Sequence, residues 1–236
     1  VVGTVLMRSA GCVINDYFDM EFDGNVERTK DRPLVTGIIK PTEALVLFFF
    51  LIFLSCLLLN WMNLLTIKVA ALGLVLATFY PLTKRFFAIP QFFLGLAFSW
   101  GILMVSAAEL NRINYISIIL FASCFFWILA YDTAYAMSDK EDDLKIGLRS
   151  SALTFGDKVV HFFICFQILS LVIWSSLGYT LNMHPSFYIS SALWLCLITY
   201  QYNLIKSYER QNCFLAFKNN NWVGVSLLTG SILGTS

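Results

Sequence analysis

The chain alternates long apolar stretches with short polar ones. Apolar segments fall near 1–15, 42–60, 64–80, 87–107, 113–131, 159–180, 187–205 and 222–236. A bilayer core needs about 20 such residues per helix, so the pattern predicts eight membrane-spanning helices. The first segment begins in mid-pattern, at Val1-Val2-Gly3-Thr4, with no initiator Met and no visible signal peptide. The expectation is a fragment that lacks N-terminal residues.

Composition supports a chain embedded in a lipid bilayer. Hydrophobic residues make up 58% of the 236 residues, and charged residues 13%, about half the usual share of roughly 25%. Too few charges remain to cover a surface facing water, and a disordered chain is excluded. The net charge of +1 gives no basic excess for nucleic acid. Cys12, Cys56, Cys124, Cys165, Cys196 and Cys213 lie scattered, with no CxxC spacing, so neither a metal knuckle nor a disulfide framework is expected. His161 and His184 are isolated and are read as structural or interfacial, not as ligands.

Charge is distributed unevenly between the two faces. If successive spans alternate direction, the loops at 16–41, 81–86, 132–158 and 206–221 share one side and hold 13 of the 16 Lys and Arg. The positive-inside rule places that side in the cytoplasm, or in a mitochondrial matrix. Fourteen of the 15 acids crowd the same side, which that rule does not explain. They cluster in Asn15-Asp16-Tyr17-Phe18-Asp19-Met20-Glu21-Phe22-Asp23 and from Asp132 to Asp143. Asn15, Asp19 and Asp23 are spaced i, i+4, i+8, and Asp139 and Asp143 are again i, i+4. On a continued helix each set shares one face. Grouped carboxylates repel unless a cation lies between them. With no His or Cys nearby, oxygen ligation fits Mg²⁺. Nearby cations, Lys84 and Arg85 among them, suit a diphosphate; alone, most read as orientation signals. Asn15 to Asp139 and Asp19 to Asp143 are both 124 residues. The halves, roughly 1–107 and 113–236, thus read as related bundles within a single transmembrane domain, 1–236.

These strings resemble the UbiA superfamily of intramembrane prenyltransferases. Asn15-Asp16-x-x-Asp19-x-x-x-Asp23 resembles its first aspartate-rich motif. Its 4-hydroxybenzoate polyprenyltransferase branch is matched by Arg8 to Asp16, by Lys30-Asp31-Arg32-Pro33-Leu34-Val35-Thr36-Gly37, by Tyr131 to Asp143, and by Asn219-Asn220-Asn221-Trp222-Val223-Gly224. The resemblance covers essentially the whole chain. It implies an all-α membrane fold of nine helices, eight of them visible here, with a central cavity capped by two Asp-rich loops. It also implies Mg²⁺-dependent transfer of a polyprenyl group from polyprenyl diphosphate to carbon 3 of 4-hydroxybenzoate in ubiquinone biosynthesis. Asn15, Asp19 and Asp23 would hold one Mg²⁺, and Asp139 and Asp143 a second. Lys84, Arg85, Arg28 and Lys140 would bind phosphate oxygens, and Tyr80, Tyr131 and Tyr135 would shield an allylic cation. Arg8, two turns before Asn15 inside a span, would face the cavity and meet an acceptor carboxylate, Asp16 or Asp19. The membrane would be a bacterial or mitochondrial inner membrane. Other classes are a transporter with an acidic mouth and a structural protein with solvated loops; within the family, another aromatic acceptor is the alternative.

Overall fold

The computed structural model describes residues 1–235 except Asn25, Glu27 and Arg28. Among the described residues all regular structure is helical. In chain order it runs α1 (Val2–Asp23), α2 (Pro41–Leu59), α3 (Leu64–Thr83), α4 (Gln91–Leu110), α5 (Tyr115–Ile146), α6 (Ser151–Phe155), a 3₁₀ turn (Gly156–Lys158), α7 (Val159–Thr180), α8 (Phe187–Ile205) and α9 (Arg210–Gly234). Every expected apolar segment lies on or largely within a long helix.

Local chemistry sets the helix ends. Pro41 opens α2, and the Lys40 backbone N–H donates to Glu43 at 2.8 Å. Asn63 and Asn114 cap α3 and α5 by accepting from the backbone N–H of Thr66 and Ser117, each at 2.9 Å, which satisfies orphan donors of the first turn. Gly147, at φ 71°, closes α5 in the left-handed conformation that favours glycine.

Among the described residues, five helical stretches are long and apolar enough to cross a membrane: Pro41–Leu59, Leu64–Thr83, Gln91–Leu110, Tyr115–Ile146 and Ser151–Thr180. Segments 1–15, 187–205 and 222–236 lie on α1, α8 and α9, whose Arg8, Gln201, Asn203 and Asn219 to Asn221 dilute the apolar character. Large apolar side chains such as Val46, Phe49, Phe50 and Phe53 point outward from α2. On water such a face would be costly; on lipid it is the expected exterior. The protein is an integral membrane protein.

The acids do not lie in loops. With no Gly or Pro between Asn15 and Asp23, or between Asp132 and Ile146, nothing stops either helix at the membrane face, and both acid sets ride on helix ends. At 32 residues, α5 is about 48 Å long. That exceeds a hydrocarbon core of about 30 Å, so the apolar part of α5 can span while its acidic end stands clear.

Helix α1 packs on α2 and α3, and α5 packs on α4, α7 and α9. One apolar core joins α5, α7 and α9 through Ala134, Met137, Phe163, Cys213 and Ala216. A second lies deeper, around Trp174, Phe187, Trp194 and Val223. Gly178 allows the close approach of α8, because a Cβ there would strike the Phe187 ring. A cavity of about 120 Å³, lined by Leu120, Ser123, Trp127, Trp174 and Trp194 among others, lies in this C-terminal half. Along α5 it is roughly 18 Å or more from Asp139.

Candidate active site

Lys84, just past the end of α3, is the meeting point of the charged end. Its Nζ donates to Asp19 Oδ2 at 2.6 Å and to Asn15 Oδ1 at 3.4 Å, and lies 5.8 Å from the Tyr80 ring centroid. Asn15 Nδ2 donates to the same Asp19 oxygen at 3.1 Å, so the i, i+4 spacing on α1 brings these two side chains together. Burial works against the Lys84 ammonium, but the neighbouring Tyr80 and the Asp19 carboxylate outweigh it and raise its pKa. The same charge acts on Asp132 and Asp143 of α5. Lys84 therefore links the two acidic helices electrostatically.

Asp23, one turn beyond Asp19, accepts from Arg32 at 2.6 Å, and the same guanidinium nitrogen lies 2.8 Å from Asp16. Burial pushes the Asp23 carboxyl above its ordinary value despite Arg32. On α5, Asp139 lies 3.7 Å from Arg210. Asp143 sits beside Ser150, whose buried hydroxyl makes no hydrogen bond of good geometry.

The connection after α5 is laced to the connection after α3. The Arg149 N–H donates to the Lys84 carbonyl at 3.1 Å and its guanidinium to the Phe86 carbonyl at 2.8 Å. The Ser151 N–H donates to Gln91 Oε1 at 3.0 Å, and the Thr154 hydroxyl to the Ala88 carbonyl. These bonds hold the turn that carries Lys84 against the end of α5.

Several expected residues are placed elsewhere. Arg85 is exposed; it donates to the Phe18 carbonyl at 3.0 Å and lies over the Phe22 ring. It clasps α1 from outside instead of joining the carboxylates. Lys140 turns toward the Tyr208 ring at 5.9 Å, on the α9 side of α5. Tyr135 packs on Phe217 at 4.9 Å between ring centroids, and Tyr131 at 5.9 Å, so both belong to an α5–α9 aromatic seam. Arg28 lies outside the described residues. Arg8 lies over the Phe98 ring at 5.0 Å and makes no ion pair with Asp16 or Asp19.

The structure gives definite surroundings to residues that the sequence reading named only as members of the charged strings. Asp132 makes no hydrogen bond or ion pair among the described residues, although the Arg8 charge acts on it. A signal was present: Arg8 precedes Asn15 by seven residues, Asp132 precedes Asp139 by seven, and Arg8 to Asp132 is again 124. Seven residues are nearly two turns, so each lies on the acid-bearing face about 10 Å deeper. Arg32, Asp142 and Arg210 likewise acquire partners that the sequence reading did not assign. Arg210 is 68 residues from Asp142, and no local pattern links them.

The donor set suits Mg²⁺. The expected ligands are all oxygen, and the Ser150 hydroxyl lies beside Asp143. Among the described residues no three His, Cys, Asp or Glu are grouped closely enough to hold an ion alone. An ion here needs water or substrate oxygens to complete its shell, as Mg²⁺ commonly does.

A helical membrane bundle with paired acids and one shared lysine at one end defines a class, and residues 1–224 match the UbiA prenyltransferase family. The chain belongs to that family. It is 48% identical over 235 residues to the 4-hydroxybenzoate octaprenyltransferase of Dechloromonas aromatica, covering 99% of this chain and 79% of that one. For the 4-hydroxybenzoate octaprenyltransferase of Nitrosospira multiformis the identity is 47%, with 99% and 80% covered. Among solved structures, a UbiA homolog from Aeropyrum pernix K1 in its apo form superposes with a TM-score of 0.81 at 22% identity, covering all of this chain and 90% of that one. A UbiA homolog from Archaeoglobus fulgidus bound to GPP and Mg²⁺ gives 0.69 at 17%, covering all of this chain and 89% of that one.

Proposed function

We propose that this protein transfers a polyprenyl group from polyprenyl diphosphate to carbon 3 of 4-hydroxybenzoate, in ubiquinone biosynthesis. The observation that carries this reading is the position of Lys84, paired with Asp19 of α1 while its charge reaches Asp143 of α5. That arrangement gathers a cation and two sets of oxygen donors where a diphosphate would lie. The likeness to 4-hydroxybenzoate octaprenyltransferases supports the acceptor.

Asn15, Asp19 and Asp23 would hold one Mg²⁺, and Asp139 and Asp143 a second. Ions held by these residues would supply positive charge against that developing on the diphosphate as the allylic C–O bond breaks. Lys84 binds a phosphate oxygen as a point charge. Arg8 lies deeper, on the same face of α1, and meets the carboxylate of the acceptor. The ring forms its new carbon–carbon bond to the allylic carbon, diphosphate departs, and the ring loses the proton from carbon 3. Asp132, two turns before Asp139 on the acid-bearing face of α5, would take that proton. An apolar surround keeps water from the allylic cation. Tyr80, held over Lys84, supplies an aromatic face to it.

The eight long helices among the described residues each cross the bilayer. The acid-bearing ends face the cytoplasm of a bacterial cell or a mitochondrial matrix, in the inner membrane, over the mouth of a central cavity. The test is an assay in detergent with a polyprenyl diphosphate, 4-hydroxybenzoate and Mg²⁺. Product prenylated ortho to the hydroxyl is expected, and none when Mg²⁺ is chelated. Transfer to another aromatic acid in preference to 4-hydroxybenzoate would overturn the acceptor assignment.

A further inference from the structure

The last turns of α5 carry four acids with different surroundings. Glu141 is exposed, while Asp139 and Asp142 are 8% and 5% exposed. On a helix, Asp142 and Asp143 point about 100° apart, with Asp139 between them. The Lys84 charge acts on Asp143. Asp142 faces α9, where Arg210 donates to its Oδ2 at 2.7 Å. The same guanidinium nitrogen lies 3.7 Å from Asp139 Oδ1. Lys145 Nζ is 3.6 Å from the other Asp142 oxygen, but its side chain is 70% exposed, so it contributes little. Arg210 opens α9. Its base is fixed by Cys213 and Ala216, fully buried one and two turns on against α5 and α7.

We propose that Arg210 is a positioning residue for prenyl transfer: its pairing with Asp142 keeps that carboxylate out of the site and leaves the site to Asp139 and Asp143. The inference rests on the function proposed above. A buried carboxylate three residues from Asp139 would otherwise be uncompensated, and the cheapest relief would be to turn toward the same cations Asp139 serves. Pairing across to α9 prevents this. It also ties the acid-bearing turn to the helix whose Phe217 packs on Tyr131 and Tyr135. Partners of this kind, one step removed from the ligands, commonly change metal affinity or activity by about 10–100-fold when mutated.

The experiment compares the protein with Arg210→Ala, Arg210→Lys, Asp142→Asn, and Arg210→Ala combined with Asp142→Asn. The readouts are Mg²⁺-dependent binding of a polyprenyl diphosphate, KM for 4-hydroxybenzoate, and the thermal midpoint in detergent. Arg210→Ala should raise the Mg²⁺ concentration for half-maximal donor binding by about tenfold or more, with the acceptor KM within about twofold of the parent. Arg210→Lys should fall between the two. The double variant should bind better than Arg210→Ala, because the unpaired carboxylate is gone. If Arg210→Ala does not fold, Arg210→Lys and the double variant carry the test. An unchanged Mg²⁺ requirement in the folded Arg210 variants would overturn the proposal. So would a double variant no better than the single, which would make Arg210 a direct diphosphate ligand. Failure of the unaltered protein to bind the donor would overturn the proposed function instead.

Discussion

The charged end and the deep C-terminal half treat buried polar groups in opposite ways. In the deep half, Trp194 Nε1 donates to Gln167 Oε1 at 2.9 Å, and Gln167 Nε2 donates to Gln201 at 3.0 Å and Asn220 at 3.1 Å. Trp127 Nε1 donates to the same Asn220 oxygen at 2.9 Å, and Gln201 Nε2 to Asn219 at 2.9 Å. The network is neutral, and none of its buried polar atoms lacks a partner. It joins α5, α7, α8 and α9 and leaves little capacity for a ligand. At the charged end the groups are ionic and retain acceptor capacity: a carboxylate has about four lone-pair sites, and Asp132 spends none on a described neighbour. Saturated neutral polarity holds helices together, whereas unsaturated ionic polarity is where chemistry can occur.

The largest effect should come from Asp19→Asn and Asp143→Asn. Each keeps size and removes one charge. Losing a comparable preorganised group costs on the order of 10²–10³ in rate; the thermal midpoint in detergent should stay nearly unchanged for Asp143→Asn and fall for Asp19→Asn, which leaves the Lys84 ammonium without its carboxylate partner. Near-normal prenyl transfer by either variant would break the distinction between the two regions.

Lys84→Ala should come next. We expect the KM for polyprenyl diphosphate to rise roughly tenfold or more, given charge-assisted bonds worth about 1.5–3 kcal/mol, while the KM for 4-hydroxybenzoate changes less. Arg85→Ala, which removes only an outer clasp on α1, should have a smaller effect on the donor. An equal effect would return Arg85 to the diphosphate site. Arg8→Met should show the converse selectivity, raising the KM for the aromatic acid more than that for the donor.

Gln167→Leu tests the deep network. It removes an acceptor from Trp194 and donors from Gln201 and Asn220. Thermal unfolding should show destabilisation of about 1–3 kcal/mol, with Mg²⁺ dependence unaltered in the folded fraction. A shifted Mg²⁺ requirement would tie this network to the site. The smallest effect belongs to Glu141→Gln, on the same turn as Asp142 but exposed. Stability should move by less than about 0.5 kcal/mol, and turnover should stay at the parent level.

What the sequence determined by itself follows from short-range rules. Apolar runs near bilayer length marked every long helix, because hydrocarbon admits so few spanning structures. The i, i+4 spacing of Asn15 with Asp19 placed both side chains on one face, and nothing in either acid string could end a helix. Even so, hydropathy registered only the apolar parts of α1, α5 and α9, and the acids were expected in loops. Tertiary structure decided which cation meets which acid. Lys84 and Arg85 are adjacent in sequence, yet one turns to Asp19 and the other to the outside of α1. Arg32 returns to Asp16 and Asp23, and Arg210 crosses 68 residues to Asp142. A charged side chain reaches whatever the packing of its helix brings near, and that packing is set by distant apolar contacts such as Cys213 and Ala216 against α5 and α7.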